Sequence, residues 1–182
     1  MVKYEVDFFV EKFVDSLQKS NIDNIVTVAR NIDGGFPDSL GFPTNRYILW
    51  EQKSKVYITK LTGYTDYGVI KGNCKFIKDC QIFSFIKAND SALKSEYVLP
   101  FVRKYVSNNI ELYEVSYGGV HNALNLITVY SNNNVFQKDI LQSDLKEKYS
   151  EDFVNLNFQY NESTKLVNLW KMLWELILKE NR

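Results

Sequence analysis

Apolar residues recur at helical spacing near the start of the chain. Val6, Phe9, Val10, Phe13, Val14 and Leu17 fall on one side of a 3.6-residue spiral, which predicts a helix over 5–19 ended by the polar Ser20-Asn21. The β-branched run at 25–29 reads as a strand. Positions 46–51 and 55–61 read as two more, with 52–54 as the turn between them. Short strands are expected at 74–77 and 81–86. Ser91 is placed to cap a helix running to Val106, with Leu93, Tyr97, Val98, Phe101, Val102 and Tyr105 as its apolar positions and Pro100 as a kink or a restart. Positions 110–117 alternate as a strand, Gly118-Gly119 turns the chain into another at 124–130, and Asn132-Asn133-Asn134 is a turn before Val135 and Phe136. A short helix is expected at 142–149. A strand is expected at 154–160, where Val154, Leu156, Phe158 and Tyr160 alternate.

The last segment carries the strongest pattern. After Ser163 as a cap, Leu166, Val167, Leu169, Trp170, Met172, Leu173, Trp174, Leu176, Ile177 and Leu178 cover most of a helix circumference. Only Asn168, Lys171, Glu175 and Lys179 form a polar stripe, so this helix must be buried on several sides. Two environments satisfy that requirement. One is a core helix packed on the sheet. The other is a dimer or partner interface formed by Leu166, Trp170, Leu173, Trp174 and Ile177. The elements together define an α+β class: a mainly antiparallel or mixed sheet flanked by an N-terminal helix and a long C-terminal helix.

Length and composition narrow this picture. The 182 residues match one ordinary domain, so a single globular unit over 1–182 is expected. With 45% hydrophobic and 24% charged residues, the chain can bury a core without a disulfide or metal staple. Lys+Arg and Asp+Glu both total 22, which gives no basic surplus for a generic polyanion binder. The first fifteen residues carry Glu5, Asp7, Glu11 and Asp15 rather than a basic start and an apolar run, and no stretch approaches 18 apolar residues. A cytoplasmic location with no membrane partner is the expectation. Cys74 and Cys80, with five residues between them, lack the spacing of a zinc pair and read as free thiols.

One stretch has the residue types for metal-assisted chemistry. Pro37-Asp38 is followed, after a 12-residue gap, by Glu51-Gln52-Lys53, which comes directly after the apolar Ile48-Leu49-Trp50. Two converging carboxylates can hold Mg²⁺ through oxygen ligands. The ion then lowers the pKa of its bound water, and a neighbouring lysine positions that water or neutralises charge. On a strand, Glu51 and Lys53 point to the same face. This stretch resembles the motif of the PD-(D/E)xK nuclease superfamily over Pro37 to Lys53. The resemblance implies a small Mg²⁺-dependent DNA endonuclease, with Asp38 and Glu51 as metal ligands and Lys53 as the water-positioning cation. Glu5 or Glu11 would be an added carboxylate, as in some members. The same residues also read plainly, Asp38 as a turn residue and Glu51 and Lys53 as a solvated strand edge. The triplet recurs at Asp144-Leu145-Lys146, in an expected polar helix.

The remaining candidates are sparse. His121 is the only histidine, which excludes two-histidine phosphodiester chemistry and reads as a structural, hydrogen-bonded residue. Asp33-Gly34-Gly35 is a turn, without the lysine and helix order of a phosphate loop. Tyr57, Tyr64, Tyr67, Tyr113, Tyr117 and Tyr130 either line a binding face or border the core. The long loop at 31–45 has the composition of a ligand lid. With few catalytic constellations, the favoured expectation is a noncatalytic interaction protein, an inhibitor or immunity-type partner. It would bind a protein or self-associate through the C-terminal helix. The Mg²⁺ nuclease acting on DNA is the alternative.

Overall fold

The computed structural model describes residues 2–32, 44–64, 68–116, 123–131, 134–151 and 153–180. Helix α1 (Val2–Lys19) forms where the periodicity predicts it and buries Val6, Val10, Val14 and Leu17 along one stripe. Its end is a Schellman motif. Asn21 adopts a left-handed φ of 57°, Ile22 N donates to Leu17 O and Asn21 N donates to Gln18 O. Ile22 then packs in the same apolar cluster as Leu17, which fixes the direction in which the chain enters the first strand.

Strands β1 (Ile25–Ile32), β2 (Thr44–Gln52), β3 (Lys55–Tyr64), β4 (Gly68–Lys71) and β5 (Lys75–Ile77) follow. After them come helices α2 (Ile82–Ala88) and α3 (Asp90–Ser95), and the hairpin β6 (Phe101–Ser107) and β7 (Ile110–Ser116). Strands β8 (Ala123–Ser131) and β9 (Asn134–Leu141) precede a 3₁₀ turn, Gln142–Leu145. The chain ends with β10 (Lys148–Ser150), β11 (Phe153–Val154), α4 (Phe158–Ser163) and α5 (Lys165–Glu180). The main sheet has the order β4-β3-β2-β1-β8-β9, with β5 also on β3, and every strand pair in it is antiparallel. The expected α+β class, with a sheet between an N-terminal and a long C-terminal helix, is the fold observed.

Strand alternation divides the sheet's side chains between two cores. Ile25, Ile48, Trp50 and Leu61 pack under α1. Val26, Val28, Leu49, Ile58, Ile127 and Val129 pack under α2, α3 and α5. Arg46, almost wholly buried on the α1 side, donates to Asp7 at 2.7 Å and ties that helix to β2. On the other side α5 buries Leu166, Val167, Leu169, Trp170, Leu173 and Ile177 within the chain's own core. Of the two environments open to this helix, its packing is that of the core helix. Leu166, Trp170, Leu173 and Ile177 are thereby withdrawn from any external surface, and Trp174 is half-buried with its ring stacked on Trp170. Thr164, rather than Ser163, caps α5: its Oγ1 accepts from Val167 N at 3.1 Å, and Glu96 caps from across the core by accepting from Leu166 N.

Four expectations change. Positions 81–86 form α2 rather than a strand, because Ile82, Phe83 and Ile86 share a helical face that packs on α5. The helix from Ser91 stops at Ser95. Glu96 leaves it in extended conformation, and Leu99, the residue before Pro100, is sterically pushed out of the helical region, so a strand begins at Phe101. The helix at 142–149 is a single 3₁₀ turn followed by β10. The strand at 154–160 is strand only at Phe153–Val154, and Phe158–Ser163 is helix. Its alternating Val154, Leu156 and Tyr160 are exposed, while Asn155 and Asn161 take the buried places.

Candidate interaction surface

Of the nuclease-like motif the structure describes Glu51 and Lys53, which line one pocket together with Asp23. Glu51 lies on β2, half-buried, and its Oε2 accepts a hydrogen bond from Asn24 Nδ2 at 3.0 Å. Lys53 does not share that strand face. With Ser54 it forms the two-residue loop between Gln52 and Lys55, and both loop residues have left-handed φ values, 51° and 61°, as in a type I′ hairpin. Asp38 lies outside the described residues. The two described positions that bracket its segment, Ile32 and Thr44, lie at the far end of the sheet from Glu51. Seven steps along the strand, or about 24 Å, separate Thr44 from Glu51. Among the described residues no group of three metal-ligating side chains converges.

Cys74 is exposed and Cys80 half-buried, both free. Burial, and to a lesser degree the charge of Glu51, pushes the Cys80 thiol up, away from the reactive thiolate. His121, Tyr67, Tyr117, the Asp33-Gly34-Gly35 turn and most of the expected lid lie outside the described residues. Among the remaining tyrosines, Tyr57 stacks on Trp50 and, like Tyr64 and Tyr130, is half-buried, whereas Tyr113 is exposed. No described helix is long and apolar enough to cross a membrane.

Tyr113 belongs to the most unusual element of the fold. Strands β6 and β7 pair only with each other, forming a two-stranded ribbon apart from the main sheet. Asn108 and Asn109, with φ of 53° and 61°, make its type I′ loop. Alternation gives the ribbon two faces. Tyr105, Ile110 and Leu112 lie on one, and Val106, Tyr113 and Val115 on the other, all exposed. Val106, Ile110 and Tyr113 are 65%, 60% and 64% exposed, so each face presents exposed apolar side chains beside one ion pair. The ribbon's charges are satisfied internally: Arg103 pairs with Glu114 and Lys104 with Glu111.

A two-stranded ribbon is marginal in water by itself, so its root must be held. A buried polar network holds it. Leu99 N donates to Asn161 Oδ1 and Leu99 O accepts from Asn161 Nδ2, both at 2.9 Å. Pro100 O accepts from Asn157 Nδ2 at 2.8 Å, and Phe101 N donates to Asp144 Oδ1 at 2.9 Å. Val102 N reaches Asn155 Oδ1 at 3.4 Å, and Val102 O accepts from Leu156 N. Asn155 and Asn161 each donate a further hydrogen bond to Asp144 O at 3.0 Å, which closes the network. Side chains thus satisfy the backbone that a neighbouring strand would otherwise pair. Burial raises the Asp144 carboxyl above its ordinary 3.8, offset in part by hydrogen bonds from Phe101 N and Ser143. Phe101, fully buried between Tyr149 and Phe153, supplies the apolar half of the root.

The sequence carries a signal for this element: Asn108-Asn109 between two alternating runs is a type I′ hairpin pattern. The overlapping helical periodicity from Ser91 competes with it. No family model, curated protein or solved structure matches the chain.

Proposed function

We propose that the protein is a noncatalytic protein-binding module, of the inhibitor or immunity type, that presents the β6–β7 ribbon as its recognition element. The observation behind this reading is a ribbon with two uncovered apolar faces on a fully hydrogen-bonded buried mount. Two apolar faces on a strip one ribbon thick suit a protein cleft that closes over both, and a flat surface would cover only one. The internal pairing of Arg103, Lys104, Glu111 and Glu114 leaves the strip without net charge, which favours an apolar protein groove over a nucleic-acid backbone. Aromatic and β-branched side chains at such a tip are the usual anchors of a buried contact.

The test uses a photoreactive residue at Val106 in the full-length protein, with the same residue at the exposed Lys55 as control. A partner crosslinked only from Val106 is purified and titrated against the native chain and the triple variant Val106→Ser, Ile110→Ser, Tyr113→Ser. A stoichiometric complex that the variant weakens about a hundredfold supports the proposal. Equal crosslinking from Lys55, or equal affinity of the variant, overturns it. The nuclease alternative forecasts a different result: Mg²⁺-dependent cutting of plasmid DNA by the native chain, lost in Glu51→Ala.

A further inference from the structure

A second feature shares no residue with the ribbon. A cleft of about 270 Å³ opens between α2 and the end of the sheet, lined by Asn24, Glu51, Ser84, Lys87, Tyr130, Ser131 and the apolar trio Phe83, Ile86 and Val129. Its volume lies just under the usual range for small-molecule sites, about 300–1,000 Å³, and so suits a very small ligand. Glu51 holds its carboxylate at one wall, half-buried, with one hydrogen bond from Asn24 Nδ2. Lys87, in the last turn of α2, lines the same cleft. No described cation is in ion-pair contact with Glu51 and no described carboxylate with Lys87, and the two do not pair with each other. A half-buried carboxylate and an exposed ammonium therefore line one small cleft, neither of them in an ion pair with a described residue.

We propose that this cleft binds a free aliphatic α-amino acid, its ammonium on Glu51, its carboxylate on Lys87 and its side chain toward Phe83, Ile86 and Val129. A zwitterion supplies both missing countercharges in one small molecule, and charge-assisted hydrogen bonds at each end are the strong kind. A divalent ion fits poorly, because it needs six or more oxygen ligands and no second carboxylate lines the cleft. The serine hydroxyls and Asn24 complete the polar rim.

The experiment is an amide-resolved NMR titration of the full chain with L-leucine. N-acetyl-L-leucine and L-leucinamide each delete one of the two charges. The expected result is saturable shifts at Asn24, Glu51, Ser84, Lys87 and Ser131 with L-leucine. Both derivatives, and the variants Glu51→Gln and Lys87→Met, should bind about tenfold more weakly or worse. The thermal midpoints of the ligand-free variants report whether they fold. The absence of saturable shifts at these residues overturns the proposal, and so does unchanged binding by either derivative or by a folded variant. Because the cleft and the ribbon have no residue in common, failure here leaves the ribbon's crosslinking result untouched.

Discussion

Helix α5 and the β6–β7 ribbon are both strongly apolar, yet they occupy opposite environments. The helix is apolar over most of its circumference and is enclosed by the chain's own sheet, α2 and α3. The ribbon has fewer apolar residues, and beyond its root at Phe101 exposed ones occur on both faces. The difference lies in what each element can pack against. A helix on a sheet face buries a wide stripe, and short neighbouring helices close its flanks. A ribbon one layer thick and unpaired with the main sheet has no second layer of its own. The amount of apolar surface therefore does not reveal which segment faces outward, whereas the way the backbone is satisfied does. The helix satisfies its own hydrogen bonds, and the ribbon's root depends on Asp144, Asn155, Asn157 and Asn161.

The sharpest way to break this comparison is at the helix. Leu173→Ala removes a fully buried side chain and should cost about 2–5 kcal/mol in urea-unfolding free energy. A loss below about 1 kcal/mol would mean that α5 is not core.

Next in size is the mount. Asn161→Ala strips hydrogen bonds from Leu99 N, Leu99 O and Asp144 O and should cost about 2–3 kcal/mol. It should also speed amide exchange at Leu99 and Phe101 well beyond the exchange in β1. Uniform acceleration across the whole chain would refute a local role for the network.

Asp144 gives a smaller, pH-dependent effect. Its folded-state pKa lies above the unfolded value of 3.8, so the folded chain binds more protons in that window. The contribution of Asp144 is therefore most favourable below about 3.8 and is lost as pH rises through the folded value. Asp144→Asn keeps an oxygen acceptor for Phe101 N and removes the titration. The stability difference, variant minus native, should increase with pH across this window and then level off. A difference that is flat or falls with pH contradicts the burial effect.

The smallest expected change is at the ribbon tip. Val106→Ser, Ile110→Ser and Tyr113→Ser are surface substitutions, each worth within about 0.5 kcal/mol of folding stability, even where they abolish partner binding. A large loss of stability would show that the ribbon is part of the core.

Much of the fold is legible in the sequence where one pattern acts alone. Helix α1 follows from its periodicity, as does the β2–β3 hairpin from two β-branched runs around a short polar turn. The α+β class follows from their order with the final helix. The errors cluster between Gln81 and Ser163, where two periodicities overlap or where polar side chains are the buried ones. Val154, Leu156 and Tyr160 alternate as a buried strand would, yet Asn155 and Asn161 are inside because they satisfy the ribbon's root. No local pattern announces an asparagine whose partner is 62 residues away.

The candidate surfaces divide in the same manner. The Asn108-Asn109 turn marks the hairpin in the sequence, because left-handed φ values select such residues locally. Its isolation from the main sheet is a tertiary outcome: the order β4-β3-β2-β1-β8-β9 leaves β6 and β7 without a neighbouring strand. Glu51 stands out in the sequence beside Lys53, but the turn conformation of Lys53 takes it off the strand, and the packing of α2 brings Lys87 to the same cleft as Glu51. Short-range sterics and periodicity are properties of neighbouring residues, so the sequence alone determined α1, α5, the β2–β3 turn and the class of fold. Burial of polar groups and uncovering of apolar ones depend on which distant segments meet, and that only the tertiary structure decided.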